Sequence, residues 1–496
     1  MASFFKSGSL FKTGILGRLS DALEPDRVLM EAMNAMIELA AQRRALDIDQ
    51  ETWAPGNPLK LILAGYVGTR NTGADVRVEE MIRQFRHVIG DDQLELSIMT
   101  LNERRTAGYF RAVRQLEMPV LFPKFLFDEC PKHHGVVACE GSMFKSKFAS
   151  ALSTMMAGAL GMAAVENKLA VGYGAEAGAM SPALRDFVKR HCKHALVQCR
   201  NEPSRDVLGR LGVRTTGGTD TAWTFEPAPL AEGAQLLRER GWDGEKKVLV
   251  VCPINPFWWP VKPDLGKAAA KTLAGQFKKE HYRSIYFHHS SVEADEKYER
   301  YLDGLAFAVR EFCKGRDVLP IMVGMERVDR LACDAMAERL RELGNVPCFI
   351  SDDYDMYQLV SVLRNCSYMV SSRFHAIVTS MPGLVPSAGV TMDERIRNLM
   401  NDRGHPDLFL EVDEDGLGEK VLAILLRLEA ESEKISEDIG RVIPQQLALM
   451  GQMGIDFMDE LCRVYPEFPR RDLPRTWQAH LPSLEPALER LMERYA

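Results

Sequence analysis

An apolar run, SYMV, passes directly into Ser371, Ser372, Arg373, Phe374 and His375 and then into helix-forming sequence. Residues of these types at this spacing could bind an anion and move a proton. A strand end that becomes a helix start leaves backbone N–H groups unpaired at the positive end of the helix dipole. Arg373 adds a planar fork suited to carboxylate or phosphate. His375 adds a group that exchanges protons near neutral pH. The plainer reading has Ser372 capping the helix, Arg373 in a surface ion pair and His375 as a satisfied polar residue. A second candidate is LILAGYVGTRNTGAD, where Gly68, Asn71 and Gly73 follow an apolar run, since glycines let backbone turn tightly and approach a ligand. SIYFHHSS puts His288 and His289 at the end of another run, with Ser290 or Ser291 as a helix cap and Glu293 and Asp295 in the first turn. His288 is therefore either a cleft residue or a bystander to that cap. In PINPFWWP, Phe257, Trp258 and Trp259 follow Asn255, and clustered aromatics of this kind fill a seam between domains more often than they stack on sugars.

These residues need elements to hold them. LKLILAGY, LELSIMTL, PVLF, HGVVACEG and KLAVGYGA are short apolar runs separated by helical sequence, as expected for parallel strands covered by helices on both faces. KKVLVVCPIN opens a second series, continued by SIYFHH, VLPIMVG, PCFIS, SYMVSS and LVPSAG. The fold class expected is α/β, with two Rossmann-like doubly wound domains in a glycosyltransferase-B-like arrangement. Its sheets would present their carboxyl ends to one cleft, where ligands of such folds bind. The expected division is a helical N-terminal extension (1–58), a first Rossmann-like domain (59–230), a second (231–415) and a helical C-terminal extension (416–496). Val28, Leu29, Ala32, Met36, Leu39 and Ala40 lie at helical spacing in the first extension.

Composition narrows the function. The 496 residues are 46% apolar and 26% charged, an ordinary globular mixture too long for one core. A formal net charge of -7 argues against a nucleic-acid partner, which needs a basic surface. Ten cysteines occur without a CxxC pair or a Cys/His cluster at ligand spacing, so neither a metal site nor a disulfide framework is expected. No apolar run approaches the ~20 residues of a bilayer span, and the start lacks a secretory signal, so a cytoplasmic protein is expected. The first twenty residues interleave Phe4, Phe5, Leu10, Phe11, Ile15 and Leu19 with Lys6, Lys12 and Arg18. They read either as an arm on the protein's own body or as a peripheral contact with an anionic membrane face.

Taken in order, the segments resemble the polysaccharide pyruvyl transferase family. SSRFH is similar to its SxRxH signature, followed by Gly383, Pro386, Gly389, Asp393 and Arg395. The first loop resembles the family's opening G-Y-x-G-x-x-N-x-G-D-E through Gly65, Tyr66, Gly68, Asn71 and Gly73, with Ala74 and Asp75 at the acidic positions. HGVVACEGSMF stands where the family has a triple-glycine turn, with Glu140 and Ser142 beside Gly141. KLAVGYGAEAG and VQCRNEPSRDVLGRLG continue the match through Gly172, Gly174, Gly178, Arg200, Ser204, Leu208, Leu211 and Gly212. Asp220 falls where the family places an acid.

The resemblance implies transfer of a pyruvyl group from phosphoenolpyruvate to a pair of sugar hydroxyls, forming a ketal. It implies that Arg373, Ser372, Arg200 and Arg395 bind the donor, and His288, a candidate from its place at the end of an apolar run, is expected on the same donor side. It makes His375 the proton-transfer or phosphate-facing group, with Glu140 or Asp75 as a carboxylate base and Gly68, Asn71 and Gly73 as the acceptor-side loop. No cofactor and no metal are implied. The expected partners are phosphoenolpyruvate and a sugar acceptor, carried on a nucleotide or a lipid. A nucleotide-sugar-dependent glycosyltransferase of the same architecture, or a binding protein that has kept the fold, are the alternatives.

Overall fold

In the computed structural model, residues 25–46, 51–110, 112–119, 122–263, 286–392 and 394–495 are described. The basic and aromatic amino-terminal segment and Asp393 lie outside the described residues. The apolar runs form strands because each is buried on both faces by flanking helices. The first sheet comprises β1 (Leu59–Ala64), β2 (Leu94–Thr100), β3 (Arg114–Glu117), β4 (Gly135–Ala138), β5 (Leu169–Ala175), β6 (Leu196–Cys199) and β7 (Arg214–Gly217). Their order is β3-β2-β1-β4-β5-β6-β7, and every pairing is parallel. This is a doubly wound sheet whose strand order reverses at β1 and β4, the point where such folds bind ligands.

A two-stranded antiparallel ribbon, β9 (Lys262–Pro263) with β10 (Tyr286–Phe287), follows β8 (Lys247–Cys252). The described part of the run SIYFHH, from Tyr286, therefore pairs in this ribbon and not in the second sheet, contrary to the expectation from its apolar residues. That sheet adds β11 (Val318–Gly324), β12 (Cys348–Ile350), β13 (Tyr368–Ser371), β14 (Ser387–Val390) and β15 (Phe409–Leu410) to β8, in the order β12-β11-β8-β13-β14-β15. All of its pairings are parallel as well. Two Rossmann-like sheets thus stand in one chain. Of the run PVLF, Val120 and Leu121 lie outside the described residues, and the third strand of the first sheet lies before it. That strand is Arg114–Glu117, an edge strand with polar residues.

The helices outside the two sheets complete the first domain. Helix Pro25–Ala45 lies on helix Ser150–Val165 at two glycines: a Cβ on Gly158 would meet Met33 Cγ at 2.6 Å, and one on Gly161 would meet Ile37 Cδ1 at 3.2 Å. The 33-residue helix Ser432–Val464 crosses back from the second domain to the first sheet. Phe457 stacks on Phe85 with ring centroids 4.6 Å apart, and the Gln84 and Gln198 amides donate to the Met450 and Met453 carbonyls at 2.8 and 2.9 Å. These buried contacts fix the angle between the domains, and with it the cleft.

Candidate active site

A cleft of about 830 Å³ opens where the carboxyl ends of the two sheets face each other. Tyr66 and Gly68 follow β1, and Glu140 and Ser142 follow β4. Ile254 follows β8, Met325 and Glu326 follow β11, Ser372 to His375 follow β13, and Thr391 follows β14; all line it. This is the glycosyltransferase-B-like arrangement of two Rossmann-like domains.

The Gly-rich loop after β1 is the first domain's contribution. Gly68 has φ +90°, and a Cβ there would meet Thr100 Oγ1 at 2.3 Å and the Asn102 backbone nitrogen at 2.6 Å, so only glycine fits. Asn71 caps helix Thr72–Ile89 by accepting from the Ala74 N–H at 3.2 Å. The loop is also stapled to the second domain. The Thr72 N–H donates to the Met325 carbonyl at 2.8 Å, and Arg70 Nε donates to the Ser351 carbonyl at 2.7 Å. Gly73 lies against His375: a Cβ at Gly73 would stand 2.2 Å from His375 Nδ1. The glycine expected to approach a ligand instead makes room for a side chain of the other domain.

His375 is in the first turn of helix Phe374–Ser380, with its side chain 12% exposed. Its Nε2 is 3.3 Å from Asp220 Oδ2, so a first-domain carboxylate holds a second-domain imidazole. Burial alone would raise the Asp220 carboxyl, yet Arg77, His375 and Arg200 together hold it well below the usual carboxylate range. Arg77 Nε lies 3.0 Å and Arg200 Nη1 2.8 Å from Asp220 Oδ2. Burial pushes the His375 imidazole below its ordinary value despite the pull of Asp220. The ring is therefore neutral at neutral pH.

Arg373 lines the cleft, but its fork grips acids of the second domain: Nε donates to Asp329 Oδ2 at 2.8 Å, and Nη2 reaches Asp329 Oδ1 and, at 3.0 Å, Glu326 Oε2. Burial outweighs this guanidinium and holds Asp329 up at about 6. Arg395, on helix Glu394–Asp402, also lines the cleft. Its guanidinium carbon is 5.3 Å from the Phe148 ring centroid and 5.7 Å from that of Phe374, between aromatics of both domains. Glu140 lines the cleft as well, accepting from the Gly141 N–H at 2.8 Å with Arg77 Nη1 at 3.9 Å.

Four expected site residues stand elsewhere or face elsewhere. Ser372 borders the cleft, but its buried hydroxyl accepts from Tyr301 at 2.8 Å and donates to the Val390 carbonyl, and the turn is held by Ser371 Oγ and the Arg373 N–H. Arg200 is not among the lining residues. It is 4% exposed, paired with Glu176 and Asp220, and lies under the Phe374 ring at 5.0 Å. Asp75 is buried behind the loop, where burial pushes its carboxyl well above the usual range and leaves Oδ1 without a hydrogen bond. His288 stacks on Trp258 at 4.3 Å, outside the cleft lining, while Ser291 caps the next helix. Trp259 packs edge-on against Phe148 across the seam and also lines the cleft.

Several residues were not singled out from sequence. Arg77 and Glu176 share the charge network under the cleft, and Lys145 joins it through Glu176 at 2.9 Å and Glu394 at 2.7 Å. Arg105 and Thr69 line the cleft together with Ser142, which the sequence showed beside Gly141, and the buried Thr69 and Ser142 hydroxyls carry no hydrogen bond. A buried hydroxyl without a partner is costly, so such atoms at a cleft wall are suited to meeting a polar ligand. Leu101, Met118, Phe122, Leu152 and Met155 give the first-domain side of the cleft an apolar wall.

Residues 161–393 match the polysaccharide pyruvyl transferase family. The matched span is just under half of the chain and includes Glu176, Arg200, Asp220, Arg373 and His375. The family is one of enzymes, and it supports pyruvyl transfer in polysaccharide biosynthesis. No curated protein matches the chain. Among solved structures, it is similar to HepE from Anabaena, crystallised with UDP-glucose, at 10% identity and TM-score 0.49, covering 82% of this chain and 98% of that one. It is also similar to UDP-GlcNAc 2-epimerase from Neisseria meningitidis, at 10% identity and TM-score 0.48, covering 77% and 94%. A third, UDP-GlcNAc 2-epimerase from Methanocaldococcus jannaschii, is 11% identical with TM-score 0.46, covering 74% and 92%. Among the described residues, no helix is long and apolar enough to cross a membrane, and no group of three or more acidic, histidine or cysteine side chains could hold a metal ion.

Proposed function

We propose that the cleft transfers the pyruvyl group of phosphoenolpyruvate to two hydroxyls of a sugar, forming a ketal and releasing phosphate. The observation that carries this reading is that His375 meets Gly73 of the other domain on a cleft wall that also bears Arg395, with the buried Asp220 held to the imidazole from behind. A neutral imidazole and a guanidinium together suit a substrate that is anionic and must exchange a proton.

In this reading Arg395 and Arg105 face the donor's carboxylate and phosphate, with Arg373 fixed behind them by Asp329 and Glu326. The reaction needs a proton on the enol methylene, attack of one hydroxyl oxygen at the central carbon, and departure of phosphate as the second hydroxyl adds. One hydroxyl proton ends on the new methyl group and the other on phosphate. His375 is the proton-transfer residue, and Glu140, on the first-domain wall, is positioned to accept from the second hydroxyl. The apolar wall of Leu101, Met118, Phe122, Leu152 and Met155 favours an acceptor carried on a lipid over one carried on a nucleotide, because a nucleotide would leave polar groups unpaired there. Purified protein incubated with phosphoenolpyruvate should release phosphate only when an acceptor sugar is present. Release of a nucleotide from a nucleotide sugar instead, with phosphoenolpyruvate untouched, would replace this reading with a glycosyltransferase.

A further inference from the structure

We propose that Asp220 is a positioning residue that fixes the Nε2–H tautomer of His375, so that Nδ1 faces the substrates and first accepts a proton from an acceptor hydroxyl. The inference rests on the pyruvyl-transfer reading and deepens it, because it names the nitrogen, the direction of the first proton movement and the residue that sets both.

The geometry leaves one arrangement. Asp220 Oδ2 is 2.8 Å from Arg200 Nη1, 3.0 Å from Arg77 Nε and 3.3 Å from His375 Nε2. Two guanidinium groups on one carboxylate keep it ionised, and an ionised carboxylate only accepts hydrogen bonds. The proton in the contact with His375 must therefore be on Nε2. Asp220 is itself fixed, since its Oδ1 accepts from the Ala222 N–H at 3.0 Å at the start of the turn Thr221–Thr224. Nδ1 has no hydrogen-bond partner among the described residues and lies against Gly73 at the cleft wall. In a neutral ring with Nε2 protonated, Nδ1 carries the lone pair.

The charged groups bearing on the ring are Asp220, Arg77 from helix Thr72–Ile89 and Arg395 from helix Glu394–Asp402. The two arginines and burial disfavour the imidazolium, while Asp220 favours it. The ring thus starts neutral and becomes charged only transiently, with Asp220 stabilising the charge that develops. The step balances: the hydroxyl O–H bond breaks, its proton moves to Nδ1, and the freed oxygen bonds to the central carbon of the donor. As that C–O bond forms, the enol's π electrons move to the methylene carbon and take the Nδ1 proton to make the methyl C–H bond, so the imidazole returns to neutral. A carboxylate that holds the far nitrogen of a histidine and stabilises its transient charge is a known way to organise such transfers.

The test joins two measurements on the full chain. Long-range ¹H–¹⁵N spectra of protein labelled at histidine, with His375 assigned by loss of its signal in His375→Gln, should show an Nε2–H ring near neutral pH without any substrate. An Nδ1–H ring or an imidazolium overturns the proposal, whatever reaction the cleft performs. Asp220→Asn should shift that signal toward the other tautomer and lower kcat roughly a hundredfold, with the phosphoenolpyruvate KM within about twofold. It should also move the acid limb of the kcat profile to lower pH, since the imidazolium loses its carboxylate. Asp220→Glu should restore part of kcat. A loss of kcat with an unmoved limb and an unchanged tautomer would make Asp220 merely structural and overturn the proposal. If Asp220→Asn does not fold, the wild-type tautomer decides. If the tautomer is as expected but phosphoenolpyruvate is never consumed, the pyruvyl-transfer reading fails and the positioning role stands.

Discussion

Gly73→Ala adds one methyl group to the loop after β1, and the structure says where it lands. The new Cβ would be 2.2 Å from His375 Nδ1, 2.5 Å from Cγ and 2.8 Å from Cβ, where ordinary contacts begin at 3.4 Å. The loop cannot retreat, since the neighbouring Thr72 N–H is bonded to the Met325 carbonyl and Asn71 caps the helix. The imidazole must therefore withdraw by about 1 Å and lose its alignment with Asp220. A misplacement of about 1 Å can cost a hundredfold in rate, or about 2.7 kcal/mol of transition-state stabilisation. Acceptor-dependent phosphate release should fall by that factor, with the circular dichroism spectrum unchanged. Gly209→Ala, at a helical position with nothing within 4 Å, is the control and should be silent. Near-normal turnover by Gly73→Ala would refute the claim that this contact sets the working position of His375.

Arg395→Lys keeps the charge but loses the flat group held between Phe148 and Phe374, so the phosphoenolpyruvate KM should rise about tenfold, equivalent to ~1.4 kcal/mol; an unchanged KM would remove Arg395 from the donor site. Arg200→Ala should destabilise the fold by about 3–5 kcal/mol, because it leaves Glu176 and Asp220 buried beside a lost partner. A urea midpoint equal to wild type, with only a raised KM, would return Arg200 to a direct donor contact. Burial holds the His134 and His191 imidazoles down at about 4, against ~6.5 in an unfolded chain. The unfolded state therefore binds more protons between those values, and stability should fall as pH drops from 6.5 towards 4. A melting temperature that stays level across that window would contradict their neutral burial.

The legible part of the fold is its buried interior. β1, β4, β5, β8 and β11 are continuous apolar runs because helices cover both faces, and sequence found each of them. β3, β7 and β15 escaped, since RQLE, RTTG and the two-residue FL sit at or beside sheet edges where no apolar run is required. YFHH reads as a strand of the same kind but forms a short ribbon, because two apolar residues do not say which partner they pair with. At the site, the SSRFH turn brought His375 and Arg373 into view through its abrupt change from strand to helix. What the arginine grips was hidden, because Asp329 arrives from a turn 44 residues earlier. The same holds for Arg77 and Asp220, which meet His375 only once the domains pack. Gly73 shows the limit most clearly: its need for a missing Cβ was readable, but the reason for it is a side chain about 300 residues away in the other domain.

The central claim is a reaction, and mass spectrometry of the acceptor tests it most directly. Incubation of the full-length protein with phosphoenolpyruvate and a panel of lipid-linked and nucleotide-linked sugars should give one acceptor heavier by pyruvic acid less water, with phosphate released in equal amount. His375→Gln should abolish that product. Consumption of a nucleotide sugar with no pyruvylated product, or no dependence on His375, would contradict the account.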